Sequence, residues 1–288
     1  MPAPLKLMCI FAHPDDETLG TGGILAKYAD EGVQTYLVTA TRGERGWFGD
    51  PDDNPGLETL GQIRTKELLA AANILGLQEV NFLDYIDGDL DQADHDEVVN
   101  KLVSHIRRIR PDVILTFDPN GAYGHPDHIA ICQFTTAATV RAADSDVADT
   151  QNQLPHTVAK LYYMVETQQN LATYEEAFGT LMMNIDGVER RAVGWQEWAI
   201  TTRINTTDYW QQVWQAIACH QTQLPSIHEL LKLPESRQKR LFSTMSLYRA
   251  FSLVNGGREP EDDLFAGLRK SEPIPHPSTS KMNLDPMP

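Results

Sequence analysis

Three kinds of residue pattern are scarce in this sequence, and each scarcity removes a class of protein. Cysteine occurs at only three positions, Cys9, Cys132 and Cys219, far apart and odd in number. That excludes a disulfide framework and points to a reducing compartment, the cytoplasm. All three fall in apolar strand or helix patterns, where a thiol packs as a small hydrophobe. Positive charge is also scarce: 24 Lys and Arg stand against 40 Asp and Glu, a formal net charge of −16. Nucleic acids and anionic membranes are bound mainly through Lys and Arg, so neither is expected as a partner. A small anion held by one or two local arginines stays compatible. No apolar run approaches the ~20 residues needed to span a bilayer. The first residues, MPAPLKLMCIFAHP, lack the order of charge, apolar stretch and cleavage site that marks a signal peptide, and read instead as the approach to a core strand.

What is present is an ordinary globular composition, 41% hydrophobic over 288 residues, enough to bury a large core as one extended α/β domain or as a domain with an appendage. The chain is organised around AHPDDETLG at 12–20. LKLMCIFA, 5–12, reads as a buried strand, and the amphipathic run ILAKYADEG closes on Gly32. VQTYLVTAT (33–41) predicts a second strand. It is followed by RGERGWFGDPDDNPG, a loop whose Trp47 and Phe48 could wall a substrate or simply form an exposed turn. A helix over 58–75 ends at Gly76, EVNFL (79–83) predicts a strand, and a helix over 96–109 is stopped before Pro111. DVILTFD, 112–118, has the continuous apolar centre of a strand covered on both faces. Strands alternating with helices in this way predict a Rossmann-like, mostly parallel sheet flanked by helices. The second half is less regular: strands at 159–165, near 199–205 and at 246–254, a helix at 208–219, and linker-like stretches at 142–157 and 271–288.

Two polar bursts sit at matching strand-to-helix junctions: His13, Pro14, Asp15, Asp16, Glu17 and then Tyr123, Gly124, His125, Pro126, Asp127, His128. Each lies at the carboxyl end of an expected parallel strand, where open α/β sheets place their ligands. His13 and Asp16, three apart at a turn opening a helix, can converge on one point, with His128 as a third donor. Two imidazoles and a carboxylate suit Zn²⁺ or another divalent first-row metal and leave a position for water, the arrangement of a catalytic site. Water in that position has a pKa near ~7 and can serve as nucleophile. Asp15 then falls to the role of general base and acid. His125, oriented by Asp127, would donate to a developing oxyanion, with the Tyr123 phenol beside it. The bland alternatives are a helix-capping Asp pair and structural histidines. LGTGGI (19–24) is a degenerate dinucleotide loop at most, since it lacks the full G-x-G-x-x-G spacing; its glycines more simply permit close helix packing.

AHPDDETLGTGG, TRGE, the helix bearing Arg64 and Glu67, and GAYGHPDH together closely resemble the LmbE-like or PIG-L family of zinc-dependent de-N-acetylases. The resemblance is strong over about 5–135 and continues more weakly through HQTQ (220–223), similar to an H-x-S-Q element of the family, and DLFAGL (263–268). It implies an LmbE-like fold, with 1–141 as the core βαβ part of a 1–270 domain, 142–270 completing the site and 271–288 as a flexible tail. It implies His13, Asp16 and His128 as zinc ligands, Asp15 as general base, and His125 with Asp127 and Tyr123 as the oxyanion side. Arg64, Glu44 and His220 fall on substrate-binding positions. Arg64 could instead form a surface ion pair with Glu67, and His220 could simply cap the helix before Pro225. The implied reaction is removal of the N-acetyl group from an N-acetylglucosamine-type sugar conjugate. An amidase acting on a bulky thiol conjugate comes second, and a catalytically silent sugar-binding module third. The implied partner is a small amino-sugar substrate. A homo-oligomer is compatible with the chain, although no pattern specifies one.

Overall fold

A computed structural model of the chain describes residues 3–147, 153–185, 187–255 and 259–269. The stretch 271–288 and part of the 142–157 linker lie outside them. One seven-stranded sheet runs in the order β3-β2-β1-β4-β5-β9-β8. Its strands are β1 (Lys6–Phe11), β2 (Gln34–Thr41), β3 (Glu79–Tyr85), β4 (Val113–Phe117), β5 (Lys160–Met164), β8 (Thr202–Asn205) and β9 (Thr244–Ser252). The first five are parallel, and β9 runs antiparallel to both β5 and β8. β4, VILTF, is buried at all five positions, as a central parallel strand covered by helices must be.

The helices of the first half follow their apolar stripes. α1 (Asp16–Asp30) and α2 (Leu57–Leu75) precede β2 and β3, and α2 ends at Gly76 in the left-handed conformation. α3 (His95–Ile109) buries Val98, Val99, Leu102, Val103 and Ile106, and starts from an Asp94 carboxylate that accepts from Glu97 N. A kinked turn, α4 (Gly121–Gly124), leads into α5 (Pro126–Arg141). Gly20, Gly22 and Gly23 lie inside α1, so the stretch 19–24 is no dinucleotide loop. A Cβ at Gly23 would stand 2.8 Å from Cβ of Thr206, which shows how closely the C-terminal part packs on this helix. The linker after α5 is pinned by buried Arg107, whose guanidinium donates to the carbonyls of Ala142, Asp144 and Val147.

Beyond β5 the chain adds α6 (Gln168–Phe178), a separate hairpin of β6 (Met182–Ile185) and β7 (Val188–Arg191), α7 (Trp210–Ile217), α8 (Leu224–Leu231) and α9 (Glu235–Leu241). α6, the hairpin, α8 and α9 were not foreseen from the sequence. They are short and half-exposed, so they carry no sustained apolar period. Pro225, expected to end a helix, stands in the first turn of α8, a position without need of an N–H.

Candidate active site

The chain builds β1, β2 and β3 toward one edge, then crosses back to place β4 and β5 on the other side of β1. The carboxyl ends of β1 and β4 therefore border a crevice at the point where strand order reverses. His13 to Asp16 leave β1 into it, and Asp118 to His128 leave β4 into it.

Two ring nitrogens and the two oxygens of one carboxylate meet there. His13 Nδ1 is 3.2 Å from His128 Nε2 and 3.6 Å from an Asp16 carboxylate oxygen, and His128 Nε2 is 3.5 Å from the other Asp16 oxygen. Ligands ~2.0–2.2 Å from one tetrahedral ion are spaced by roughly 3.3–3.5 Å, so the two ring nitrogens and the Asp16 carboxylate between them have about the spacing that a divalent cation would need. The other ring nitrogen of His13 is engaged on the opposite side, which turns Nδ1 toward His128 and Asp16. Nε2 faces Asp87 Oδ1 at 3.1 Å and Asp127 Oδ2 at 3.2 Å, the carboxylate backing that fixes the tautomer of a metal-binding imidazole. Burial alone would depress this ring's pKa, but Asp127, Asp87 and Asp16 lift it to about 10. Asp16 is fixed in turn by the N–H groups of Ala12 and His13. The His128 ring lies flat against Phe117, with centroids 3.9 Å apart.

Asp15 sits at the start of α1 with φ 105°, a left-handed conformation that costs a non-glycine residue ~1–3 kcal/mol. Its backbone N–H donates to Glu17 Oε2 at 2.9 Å. Its carboxylate accepts from Arg64 Nη2 at 3.3 Å, while the same guanidinium donates to Pro14 O and Gly43 O. Arg64 is thus turned inward to Asp15, and Glu67 instead accepts from the N–H and hydroxyl of Thr222. Gly43 takes φ +68°, which favours glycine, and an added Cβ there would stand 2.1 Å from this guanidinium and displace it. Burial pushes the Asp15 carboxyl up, against the pull of Arg64 and His220.

His125 caps α5. Its Nδ1 accepts from Asp127 N at 3.2 Å, so a neutral ring carries its proton on Nε2, and the imidazole is driven down to about 4 by burial and by the charge of His13. The expected side-chain pairing with Asp127 does not occur. Residues two apart on a first helical turn point in different directions. The Asp127 carboxylate, fully buried, instead holds His13 and accepts from Gly88 N and Leu90 N. Tyr123 lines the cavity beside His125, after Ala122, a second strained residue at φ 59°.

Two residues expected to touch substrate are placed elsewhere. Glu44 is buried and accepts from the N–H groups of Arg42 and Asp87, closing one rim loop onto another. His220 is buried behind Asp15, with Nε2 3.1 Å from Glu17 Oε1. Burial would push Glu17 up and His220 down, but their mutual attraction reverses both. HQTQ therefore acts as a clamp: His220 on Glu17, Thr222 on Glu67, and Gln223 donating to Gly46 O. Three partners went unforeseen: Asp87, Glu17, and Asp118, which holds Ala122 N, Asn120 and the indole N–H of Trp195. Asp87 and Asp118 follow strands onto the same rim as His13, and that position was the available signal.

The site opens into a cavity of about 840 Å³ lined by His13, Asp15, Asp16, Arg64, Tyr123, His125 and His128, among others. Among the described residues, two triplets bring one donor atom each within 4.8 Å of one another, His13–His125–His128 and His13–Asp87–Asp127. The second uses the face of His13 already engaged by carboxylates.

Residues 8–139 match the family described as PIG-L, GlcNAc-PI de-N-acetylase. The chain is 32% identical to the mycothiol S-conjugate amidase of Streptomyces coelicolor, over 92% of this chain and 98% of that protein. It is 35% identical to the 1D-myo-inositol 2-acetamido-2-deoxy-alpha-D-glucopyranoside deacetylase of Thermobifida fusca, over 76% and 83% respectively. Its fold matches that of the N,N'-diacetylchitobiose deacetylase of Pyrococcus horikoshii with a TM-score of 0.62, at 20% identity over 85% of this chain and 83% of that one.

Proposed function

The chain belongs to the PIG-L family of GlcNAc-PI de-N-acetylases, and from that premise we propose that it hydrolyses the N-acetyl group of an N-acetylglucosamine-type amino sugar, with zinc as its metal. The observation that carries this reading is the His13–Asp16–His128 triangle with Asp15 and His125 lining the same cavity. His13, Asp16 and His128 would hold a divalent cation, which would supply a Lewis acid for the acetamide carbonyl and acidify water beside it. Asp15 takes the proton of the attacking water and returns it to the departing amine. Arg64 and Glu17 hold Asp15 in place for both transfers. The Nε2–H of His125, a donor because its Nδ1 is engaged by the backbone, serves the oxyanion of the tetrahedral intermediate together with the Tyr123 hydroxyl.

The test is release of acetate and free amine from a panel of N-acetylglucosaminides, by chelator-treated and zinc-restored protein side by side. Metal-dependent release from a simple or conjugated sugar is the expected result, and it would exclude a silent sugar-binding module. The likeness to a mycothiol S-conjugate amidase supports one second reading, cleavage of a bulkier thiol conjugate. Cleavage of such conjugates by the zinc-loaded protein, with no acetate from any glycoside, would establish that reading instead.

A further inference from the structure

The cavity is larger than an acetamido sugar requires. About 840 Å³ lies toward the upper end of the ~300–1,000 Å³ range of pockets that enclose a whole drug-sized ligand. Its two ends differ in chemistry. The end at β1 and β4 carries Asp15, Asp16, Arg64 and Asp87. The other end is formed by Leu171 and Tyr174 of α6, Leu181 and Met183 at β6, Val193 after β7, and Ile227 of α8. Glu166 is the one acidic or basic side chain that residues 153–269 contribute to the lining, and burial pushes it up to about 7.

Three observations distinguish this wall, whose Tyr174 and Ile227 are backed by the small apolar cluster around Val213, Ile217 and Leu230. It lies outside the seven-stranded sheet, on short helices and a separate hairpin. It lies outside residues 8–139, which match the family. It is also fastened directly to the rim of the site, because Arg190 of β7 donates to Gly124 O and the Trp195 indole N–H donates to Asp118. Both contacts fall on the loop between β4 and α5 that carries Tyr123 and His125. Apolar surface gathered around open volume, next to a polar centre, is the signature of a ligand-binding groove.

We infer that the substrate bears, beyond its acetamido sugar, an apolar group about the size of a phenyl ring or a hexyl chain, seated between α6, the β6–β7 hairpin and α8. This inference rests on the amide-hydrolase reading of the site and specifies the substrate class it acts on.

The experiment compares four N-acetylglucosaminides, with methyl, glyceryl, hexyl and phenyl aglycones, as substrates of the zinc-loaded protein. Calorimetry with the four corresponding glucosaminides measures binding without turnover. Wild-type kcat/KM and affinity are expected to favour hexyl and phenyl over methyl and glyceryl by about tenfold or more. Ile227→Asp is expected to reduce that preference at least about fivefold, whereas Ile227→Leu keeps it. Met183→Asp, on the hairpin outside the main sheet, carries the same expectation, so misfolding of one variant leaves the test intact. Equal binding and turnover across the four glycosides would overturn the inference, as would a preference that survives both aspartate variants. Apolar glucosaminides that bind selectively while no glycoside releases acetate would leave the apolar subsite standing and remove the deacetylase reading. Acetate release without any preference would do the reverse.

Discussion

Residues up to 139 and residues after 153 line one cavity with opposite chemistry. The first part supplies every charged lining residue except Glu166, each at or near a strand's carboxyl end or on the helix that follows. The second supplies mainly apolar side chains from short elements, and reaches the charged centre through the HQTQ segment and through the Arg190 and Trp195 contacts to the rim. The contrast teaches how such a molecule divides its work. Long, fully buried strands can hold ligands to fractions of an ångström, because their positions are over-determined by packing on both faces. Short peripheral elements are less constrained, and they are where surface for a substrate can vary without disturbing the chemistry.

Substitutions in the two parts should therefore fail in different ways. The largest effect is expected at Asp15. Asp15→Asn keeps the size of the side chain and tolerates the positive φ, so bound metal measured by mass spectrometry should be unchanged while kcat falls ~10²–10⁴-fold. Near wild-type turnover would remove Asp15 from the chemistry and blur the division just drawn.

A smaller loss, roughly 10–100-fold in kcat with KM and metal content unchanged, is expected for His220→Ala. This residue acts through Glu17 on the Asp15 backbone. His220→Gln can still donate to Glu17 and should recover much of the rate. A rise in KM alone would instead make His220 a substrate contact.

The smallest effect on chemistry is expected at Glu261, far along the second part. Its carboxylate takes the buried Lys160 ammonium at 2.8 Å, the Tyr162 hydroxyl and Arg249. Glu261→Ala strands Lys160 and should lower unfolding free energy by about 3–5 kcal/mol in denaturant titrations, with kcat of the folded fraction preserved. Burial alone would raise the Glu261 pKa, but Lys160 and Tyr162 bring it below the ordinary value. The stability it confers is thus fully present above the unfolded-state value of ~4.3, and is lost as pH falls through the lower folded-state value. A midpoint in Glu261→Ala that tracks wild type across that acid window would show that the network contributes nothing.

The same division governs what could be read before the structure was known. β4 and α3 were legible because a continuous apolar run and a 3.6-residue period each persist for the full element. The convergence of His13, Asp16 and His128 followed from two similar motifs at two parallel strand ends. The partner of Asp127 was misread because backbone direction on the first turn of α5, and not nearness in sequence, decides where that carboxylate points. Glu44 was misplaced for a related reason: in a tightly folded rim, orphan N–H groups compete for every nearby carboxylate. α6, the β6–β7 hairpin and α8 left no sequence signal, since their few apolar residues are divided between the cavity and a small separate cluster around Val213, Ile217 and Phe242, and sustain no regular spacing.

The cysteines give the molecule a practical handle. Cys9 on β1 and Cys132 on α5 are buried, and burial pushes both thiols up to about 12, so they resist alkylation at neutral pH. Cys219 is only half-buried. A maleimide fluorophore added to the native protein should therefore attach at one position, immediately before His220, and report optically on the junction where the two parts of the chain grip each other.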